Sequence, residues 1–175
     1  IVKKESKEIN LKYISTVLNS SLMSYYFINN TAKAVRQMFP KIILQDLRQF
    51  PFKKISLREQ EPFIQKADLM LELNKKLQEL KQNFHNELKL EKLTNKLQKF
   101  ENLEFDDFIK EYTKSKKIKF ADKLEERNFK NDWKALFEND KKEVLEIQNQ
   151  INQTDKEIDQ MVYKLYDLTE NEIKI

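Results

Sequence analysis

Residues 144–168 read VLEIQNQINQTDKEIDQMVYKLYDL. In this stretch mostly apolar residues recur every seven positions in two rows. The rows are Val144, Ile151, Ile158 and Leu165, and Ile147, Thr154, Met161 and Leu168. Two rows offset by three residues lie on one face of an α-helix, which has about 3.6 residues per turn. The stretch therefore predicts a long amphipathic helix that needs an apolar partner.

A second stretch upstream has the same spacing. Its rows are Phe63, Met70, Leu77 and Phe84, and Leu73 and Leu80. The pattern predicts one helix from about residue 58 to residue 90. Because only about fifty residues separate the two helices, an antiparallel hairpin within one chain is the simplest pairing of their apolar faces. A dimeric coiled coil, in which two chains associate through the same seam, is the competing arrangement.

The connection between these helices, at about 100–138, is rich in aromatic residues. One group fits a short helix: Phe105, Phe108, Ile109 and Tyr112. A second group suggests one or two more short helices: Phe120, Leu124, Phe129, Trp133, Leu136 and Phe137. We expect these helices to form an insertion that caps the tip of the hairpin.

The N-terminal third predicts a different structure. A helix from residue 10 to about residue 28 is indicated by apolar residues at helical spacing: Leu11, Ile14, Val17, Leu18, Leu22, Tyr25 and Tyr26. The runs KIIL at 41–44 and PFKKISL at 51–57 predict short strands on either side of a helical turn at 45–49. Since two strands alone are not stable, the rest of the sheet is expected upstream. We therefore predict a mainly α chain, with a small α+β piece at 1–57 and a long helical hairpin at 58–175.

The composition excludes several kinds of site. The chain has no cysteine, so it can form neither a disulfide nor a thiolate metal site. It has no glycine, and loops that cradle a nucleotide or S-adenosylmethionine usually need glycine. We therefore expect neither catalysis nor a cofactor site in this chain. Because it shows no signal peptide and no apolar run of the roughly 20 residues that span a bilayer, a cytoplasmic protein without a membrane partner is indicated.

Positive charge is concentrated in the N-terminal third. Residues 1–57 hold ten Lys or Arg and three Asp or Glu, whereas residues 58–175 hold 23 and 26. No acidic residue lies between residues 9 and 45. This asymmetry is typical of a surface that binds a polyanion.

Within the basic third, FINNTAKAVRQMFPK at 27–41 mixes basic residues with amides. Phosphates attract Lys and Arg, and base edges are read by Arg, Lys, Asn and Gln, so the combination favours DNA as the ligand. The candidate DNA-binding residues are Asn29, Asn30, Lys33, Arg36, Gln37 and Lys41. A basic loop without a ligand is the alternative interpretation.

A second basic run, KSKKIKF at 114–120, supplies secondary candidates for contacts to the DNA backbone. These are Lys114, Lys116, Lys117 and Lys119. An exposed turn is the plainer interpretation of this run. His85 is the single histidine, so a multi-histidine metal site or a histidine-based triad cannot form within the chain. The carboxylate pairs at 106–107 and 125–126 read as helix caps and solvated faces rather than metal ligands.

Three stretches resemble one known family, the TaqI-like restriction-modification DNA methyltransferases. YISTVLNSSLMSYYF at 13–27 and FPKIILQDLRQFPF at 39–52 resemble its C-terminal specificity region. There a helix with a leucine-asparagine-serine step precedes a strand and a D-L-x-x-x-P turn, here Leu18, Asn19 and Ser20, then Asp46, Leu47 and Pro51. IDQMVYKLYDLTENEI at 158–173 is similar to the tail of the same proteins, with matches at Val162, Tyr163, Leu165, Tyr166, Leu168, Thr169, Glu172 and Ile173. The turn departs from the family's frequent P-x-P pattern, so the bases that are read cannot be carried over.

The resemblance implies the end of a target recognition domain, which selects the DNA sequence for an adenine methyltransferase with or without a fused endonuclease. The family's asparagine-proline-proline motif and glycine-rich cofactor loop are absent from these 175 residues. The catalytic part, with its S-adenosylmethionine, is therefore expected upstream in the same protein. The expected partners are double-stranded DNA and that methyltransferase part, and the hairpin is expected to act as a helical spacer. The rival interpretation is a structural coiled-coil or assembly module that does not read DNA.

Overall fold

A computed structural model describes residues 9–30 and 48–174. The helices within these ranges are α1 (Leu11–Leu18), α2 (Ser21–Asn30), α3 (Leu57–Leu88), a 3-10 helix (Leu97–Asn102), α4 (Phe105–Lys116), α5 (Lys123–Leu165) and α6 (Glu170–Ile173). No β-strand occurs in the same two ranges. The prediction of a mainly α chain is therefore confirmed. The long helix expected from about residue 58 to residue 90 is α3, and the short helix expected around Phe108 is α4.

The chain divides into two compact units. The terminal unit comprises Ile1–Leu71 and Asn152–Ile175, and the central unit comprises Glu72–Ile151. Helices α3 and α5 each contribute residues to both units.

The core of the terminal unit is built from α1, α2, α3 and α5. Its buried apolar residues are Tyr13, Val17, Met23, Phe63, Ile158 and Val162. In α1 the buried residues Tyr13, Thr16 and Val17 follow the i, i+3, i+4 spacing of one helix face. The ring of Tyr13 meets that of Phe63 edge to face, with centroids 5.3 Å apart. Rows from both predicted seams thus supply residues to this core.

The helix expected from residue 10 to residue 28 is interrupted, because α1 ends at Leu18 and α2 begins at Ser21. Side chains compete with the helix backbone at this point. The Ser20 hydroxyl donates to the Val17 carbonyl at 2.7 Å, and the Asn19 amide donates to the Ser15 carbonyl at 2.8 Å. The prediction of one continuous helix was wrong because apolar spacing alone does not register these local hydrogen bonds.

The strand expected at 51–57 does not form. Residues 51–56 have no regular secondary structure, and Leu57 is already the first residue of α3. Helix α3 begins here because Ser56 and Glu59 form a capping box. The Glu59 carboxylate accepts from the Ser56 backbone N–H at 2.9 Å and from its hydroxyl at 2.7 Å. The strand expected at 41–44 lies outside the described residues, as does most of the turn at 45–49, of which Arg48 and Gln49 are helical.

The core of the central unit is largely aromatic. It consists of Phe84, Leu88, Leu97, Phe100, Phe108, Ile109, Tyr112, Phe137 and Val144. Phe84 stacks on Phe100 with ring centroids 3.8 Å apart, and Phe108 stacks on Phe137 at 4.6 Å. Burying each of these rings contributes roughly 1.5–3 kcal/mol, so this cluster is the main source of stability in the unit.

The one or two short helices expected between residues 120 and 137 are instead the first turns of α5, which begins at Lys123. The carboxylate of Asp122 accepts from the backbone N–H groups of Leu124 and Glu125 at 2.8 and 2.9 Å and so starts this helix. Phe129, Trp133 and Phe137 then follow at intervals of four residues without an intervening proline. The aromatic residues therefore extend the long helix rather than form separate capping helices.

Candidate nucleic-acid interface

The described residues on the two sides of residues 31–47 meet in the terminal unit. The Tyr26 hydroxyl, in the last turns of α2, donates to the Gln49 carbonyl at 3.1 Å. The Phe50 ring lies 5.6 Å from the Tyr26 ring and 6.3 Å from the Phe27 ring. The described residues that flank the main DNA-binding candidates therefore contact each other.

Four of the six candidates, Lys33, Arg36, Gln37 and Lys41, lie outside the described residues. The other two, Asn29 and Asn30, are exposed at the end of α2. Their side-chain amides donate to the carbonyls of Tyr25 and Tyr26 at 2.8 and 2.9 Å. Each side-chain amide thus bonds back to the carbonyl four residues before it in α2. The two amide groups are engaged within the helix, a role that sequence reasoning did not anticipate.

Two tyrosines hold the backbone that follows residues 31–47. The Tyr13 hydroxyl donates to the Lys53 carbonyl at 2.6 Å, and the Tyr166 hydroxyl donates to the Pro51 carbonyl at 2.7 Å. The Lys53 backbone N–H donates in turn to the Tyr166 oxygen at 3.3 Å. We call these four residues, Tyr13, Pro51, Lys53 and Tyr166, the tyrosine clamp.

The electrostatics of the tyrosine clamp keep both hydroxyl groups protonated. Burial raises the pKa of Tyr13 to about 12, and burial also raises the pKa of Tyr166. The Lys53 ammonium adds a second attachment, since it donates to the Leu165 carbonyl at 2.6 Å and to the Asp167 carboxylate at 2.9 Å. The end of α5 therefore fixes the position of residues 51–53.

The leucine-asparagine-serine step marks a corner that α5 also holds. Ser20, with 1% of its surface exposed, precedes α2. The Asp159 carboxylate accepts from the Ser21 backbone N–H at 2.8 Å and from its hydroxyl at 2.5 Å. A carboxylate at a helix N-terminus is stabilising because the first N–H groups have no partner within the helix. The corner that follows the motif is thus held by a carboxylate of α5.

Part of the positive charge of the terminal unit is neutralised within the protein. Lys12 pairs with Asp68 at 2.5 Å, and Lys66 pairs with Glu157 at 2.5 Å. The hydrogen bond from Lys66 lowers the pKa of the Glu157 carboxyl. In contrast, the exposed side chains of Lys54 and Arg58 form no ion pair with any described residue. Because Lys12 and Lys53 are paired with carboxylates, the charge count of the N-terminal third overstates the positive charge that is open to a ligand.

The secondary candidates lie at the end of α4 in the central unit. Lys114, Lys116, Lys117 and Lys119 are exposed. The Lys116 ammonium donates to the carbonyls of Leu88 and Lys89, at 3.0 and 3.4 Å, at the end of α3. Of the four, Lys116 therefore has a structural role. The remaining three keep their charge at the surface.

The described residues contain no group of three or more His, Asp or Glu side chains that could hold a metal ion. His85 is half-buried, its Nε2 lies 3.2 Å from the Leu97 carbonyl, and burial lowers its pKa. Glu125 accepts a hydrogen bond from the Ala121 backbone at 2.5 Å, and Glu126 pairs with Lys130 at 2.9 Å. None of the described helices combines the length and the apolar content that a membrane crossing requires.

Comparison with known proteins gives two family matches. Residues 1–52, which include α1, α2 and residues 31–47, match the TaqI-like C-terminal specificity domain. Residues 56–162 match the family described as a domain of unknown function, DUF8810. Because this second match covers more than half of the chain, the protein belongs to the DUF8810 family. No curated protein and no solved structure matches the chain.

The first match supports the resemblance of residues 13–52 to a TaqI-like specificity region. The resemblance of the tail at 158–173 stays a prediction. The functional residues that sequence reasoning missed are Tyr13, Lys53 and Asp159, whose partners are 40 or more positions away in the chain. Tyr166 was quoted only as part of the tail motif, and no signal in the sequence pointed to its bond with Pro51.

Proposed function

We propose that this chain is the sequence-reading, non-catalytic C-terminal part of a restriction-modification DNA adenine methyltransferase. The supporting observation is the match of residues 1–52 to the TaqI-like C-terminal specificity domain. The concentration of positive charge in the same third agrees with a polyanionic ligand. The proposed ligand is double-stranded DNA, and the proposed location of the protein is the cytoplasm. The methyl transfer, and the S-adenosylmethionine that supplies it, would belong to the methyltransferase part of the same protein.

The proposed reader is the segment at 31–47. The described residues on its two sides contact each other through Tyr26 and Gln49 and through Phe27 and Phe50, and the tyrosine clamp holds residues 51 and 53. A segment fixed at both ends loses less conformational entropy on binding than a free one. This supports residues 31–47 as the part of the terminal unit that meets DNA.

Within this segment Arg36 is the proposed base contact. A planar guanidinium donates two parallel hydrogen bonds to guanine, whereas a lysine suits a phosphate as a point charge. Lys33 and Lys41 are therefore the proposed phosphate contacts, and Gln37 is a further candidate for a base edge. Asn29 and Asn30, whose amide groups are bonded to α2, retain their carbonyl oxygens as acceptors for a base amino group.

The pairing of α3 with α5 as an antiparallel hairpin is part of this proposal. In the central unit the Glu101 carboxylate, with 4% of the residue exposed, accepts from Lys81 of α3 at 2.8 Å and from Gln148 of α5 at 3.2 Å. Further along the unit, Phe84 of α3 lies 6.1 Å from Phe137 of α5. From Lys81 to Phe84 the numbers rise along α3, whereas from Gln148 to Phe137 they fall along α5. This supports an antiparallel arrangement of the two helices over a parallel one. The division into a reading part at 1–57 and a helical spacer at 58–175 belongs to the same proposal.

The test is a DNA titration of the full-length protein with Lys33, Arg36 and Lys41 changed together to alanine. Loss of a bidentate arginine contact should cost roughly 1–3 kcal/mol and relax the preferred sequence. Each lost phosphate contact should make the slope of log K against log salt less steep by about 0.9. Matched controls are Lys54→Ala and Arg58→Ala, exposed basic residues of the same unit. Unchanged DNA affinity and salt dependence in the folded triple variant would show that residues 31–47 are not the reader.

A further inference from the structure

Lysines from two separate segments meet in the central unit. Lys89 and Lys92 follow α3, whereas Lys114 and Lys117 lie in the last turn and at the end of α4. The two segments are joined where Lys116 donates to the carbonyls of Leu88 and Lys89. All four lysines are exposed. We call Lys89, Lys92, Lys114 and Lys117 the lysine cluster.

The charge of the central unit is unevenly distributed around this cluster. Residues 89–99 carry four lysines and one glutamate, and residues 110–119 carry five lysines and one glutamate. The other residues of the unit, between 72 and 151, carry nine Lys or Arg against fifteen Asp or Glu. Net positive charge is thus concentrated in these two segments, whereas the rest of the unit is net negative, as is typical of a site for a polyanion.

Some lysines of the unit are neutralised within the protein, whereas the members of the lysine cluster are among those that are not. Lys81, Lys130 and Lys141 form ion pairs with carboxylates at 2.8–3.2 Å. No member of the lysine cluster forms an ion pair with a residue that the structure describes. Since these four charges are not neutralised within the described protein, a phosphate can bind them without breaking an internal pair.

Compensation of helix dipoles does not account for the whole cluster. Cations near a helix C-terminus are stabilising, and the Lys116 ammonium already supplies one at the last carbonyls of α3. Lys92 lies beyond that turn, in an open cleft of about 570 Å³. Gln82, Asn86 and Gln98 line the same cleft, with Glu91 as the one acidic residue of its lining. Gln82 donates to the Asn86 side chain at 2.7 Å and Gln98 to the Leu93 carbonyl at 3.3 Å, and each amide nitrogen carries a second N–H. Amide N–H groups beside lysines suit phosphate oxygens, because both can donate to them.

We propose that the lysine cluster is a second DNA contact, which binds the phosphate backbone without regard to sequence. This proposal rests on the proposed function, because DNA is again the ligand. The lysine cluster, however, lies in the part of the chain that matches DUF8810 and not in the segment at 31–47. Contacts to phosphates fix the position of a protein on the duplex, whereas base contacts select the sequence. The cluster would therefore strengthen binding to every duplex equally.

The test compares two quadruple variants of the chain. In the first, Lys89, Lys92, Lys114 and Lys117 become Gln. In the control, Lys75, Lys76, Lys134 and Lys142 become Gln, which removes the same charge from exposed positions of the same unit. Binding of a short fluorescent duplex of random sequence is measured from about 50 to 300 mM salt, and circular dichroism checks the fold. We expect the first variant to make the salt slope less steep by up to about 3.6, at 0.9 for each phosphate contact, and the control to leave it close to the parent value.

Equal salt slopes in the parent and the cluster variant overturn the proposal, as does an equal change in the control. A third titration replaces DNA by polyglutamate. Binding of polyglutamate through the cluster, with no binding of DNA, would assign the site to an acidic protein and contradict the proposal. A sequence preference that depends on Arg36 is measured separately, so failure of the lysine cluster and failure of the reading segment give different results.

Discussion

At the scale of single residues, three helices are followed by a residue in the left-handed conformation that is not glycine. Lys89, Lys117 and Asp167 have φ of 49°, 57° and 57°. This left-handed region costs a residue with a Cβ atom roughly 1–2 kcal/mol, and glycine usually occupies it. At the end of α4 the geometry is nevertheless complete, since the Ile118 N–H donates to the Thr113 carbonyl at 2.9 Å. The chain carries this strain because its sequence has no glycine.

Lys117→Gly should therefore stabilise the protein. Relief of the left-handed strain exceeds the extra conformational entropy of glycine in the unfolded chain, so the free energy of unfolding should rise by roughly 0.5–1 kcal/mol in a urea titration. Lys110→Gly is the matched control, because this exposed lysine lies inside α4, where glycine should destabilise by about 1 kcal/mol. A similar loss of stability in both variants would contradict the left-handed conformation of Lys117.

His85 gives a prediction for pH. Burial lowers its pKa below the ordinary value of 6.5, so the unfolded chain binds a proton more readily than the folded one. The contribution of neutral His85 to stability is then complete above pH 6.5 and decreases as the pH falls toward the folded-state pKa. His85→Gln should remove this decrease, which is measurable as the difference in free energy of unfolding between about pH 7.5 and 5.5. Because His85 is the single histidine, an unchanged pH dependence in the variant would assign the effect elsewhere.

At the scale of elements, α5 organises the terminal unit through its last turns. Asp159 caps α2, Tyr166 holds Pro51, and the Leu165 carbonyl accepts from Lys53. These contacts join residues more than 110 positions apart in the sequence. The tail of the chain is therefore part of the scaffold that holds residues 51–53 and the start of α2.

Tyr166→Phe tests this scaffold with the ring retained. It removes the donor to the Pro51 carbonyl and the acceptor for the Lys53 N–H, so the free energy of unfolding should fall by roughly 0.5–1.5 kcal/mol. Hydrogen exchange at the Lys53 amide should become faster. Tyr163→Phe is the control, since this half-buried tyrosine in the last turn of α5 forms no hydrogen bond through its hydroxyl with a described residue. Equal exchange rates at Lys53 in both variants would show that Tyr166 does not hold this segment.

The long helices were predictable because each presents many apolar residues at one spacing. Thus α3 begins one residue before the expected start and ends two residues before the expected end. The break at Ser20 and the irregular path of residues 51–56 were not predictable in this way. The break follows from local hydrogen bonds of Ser20 and Asn19, which apolar spacing does not register. The path of residues 51–56 depends on the distant Tyr166, and no local pattern reveals a contact of such length. For the same reason the basic run at 114–120 was visible in the sequence, while its junction with Lys89 was not.

At the scale of the whole molecule, the two family matches cover different parts of the chain. The match at 1–52 covers most of the segment with the excess of positive charge. The match at 56–162 covers most of α3 and α5. The central claim is that this protein selects a DNA sequence. That claim is independent of the strength of phosphate binding, because phosphates are the same in every sequence.

The most direct measurement is selection of bound duplexes from a random DNA library by the full-length protein, repeated with Arg36→Ala. We predict that the unchanged protein enriches one defined sequence and that the variant loses the preference at one or more guanine positions while still binding DNA. Enrichment of no sequence by the unchanged protein, or of the same sequence with the same preference at every position by the variant, would contradict the account.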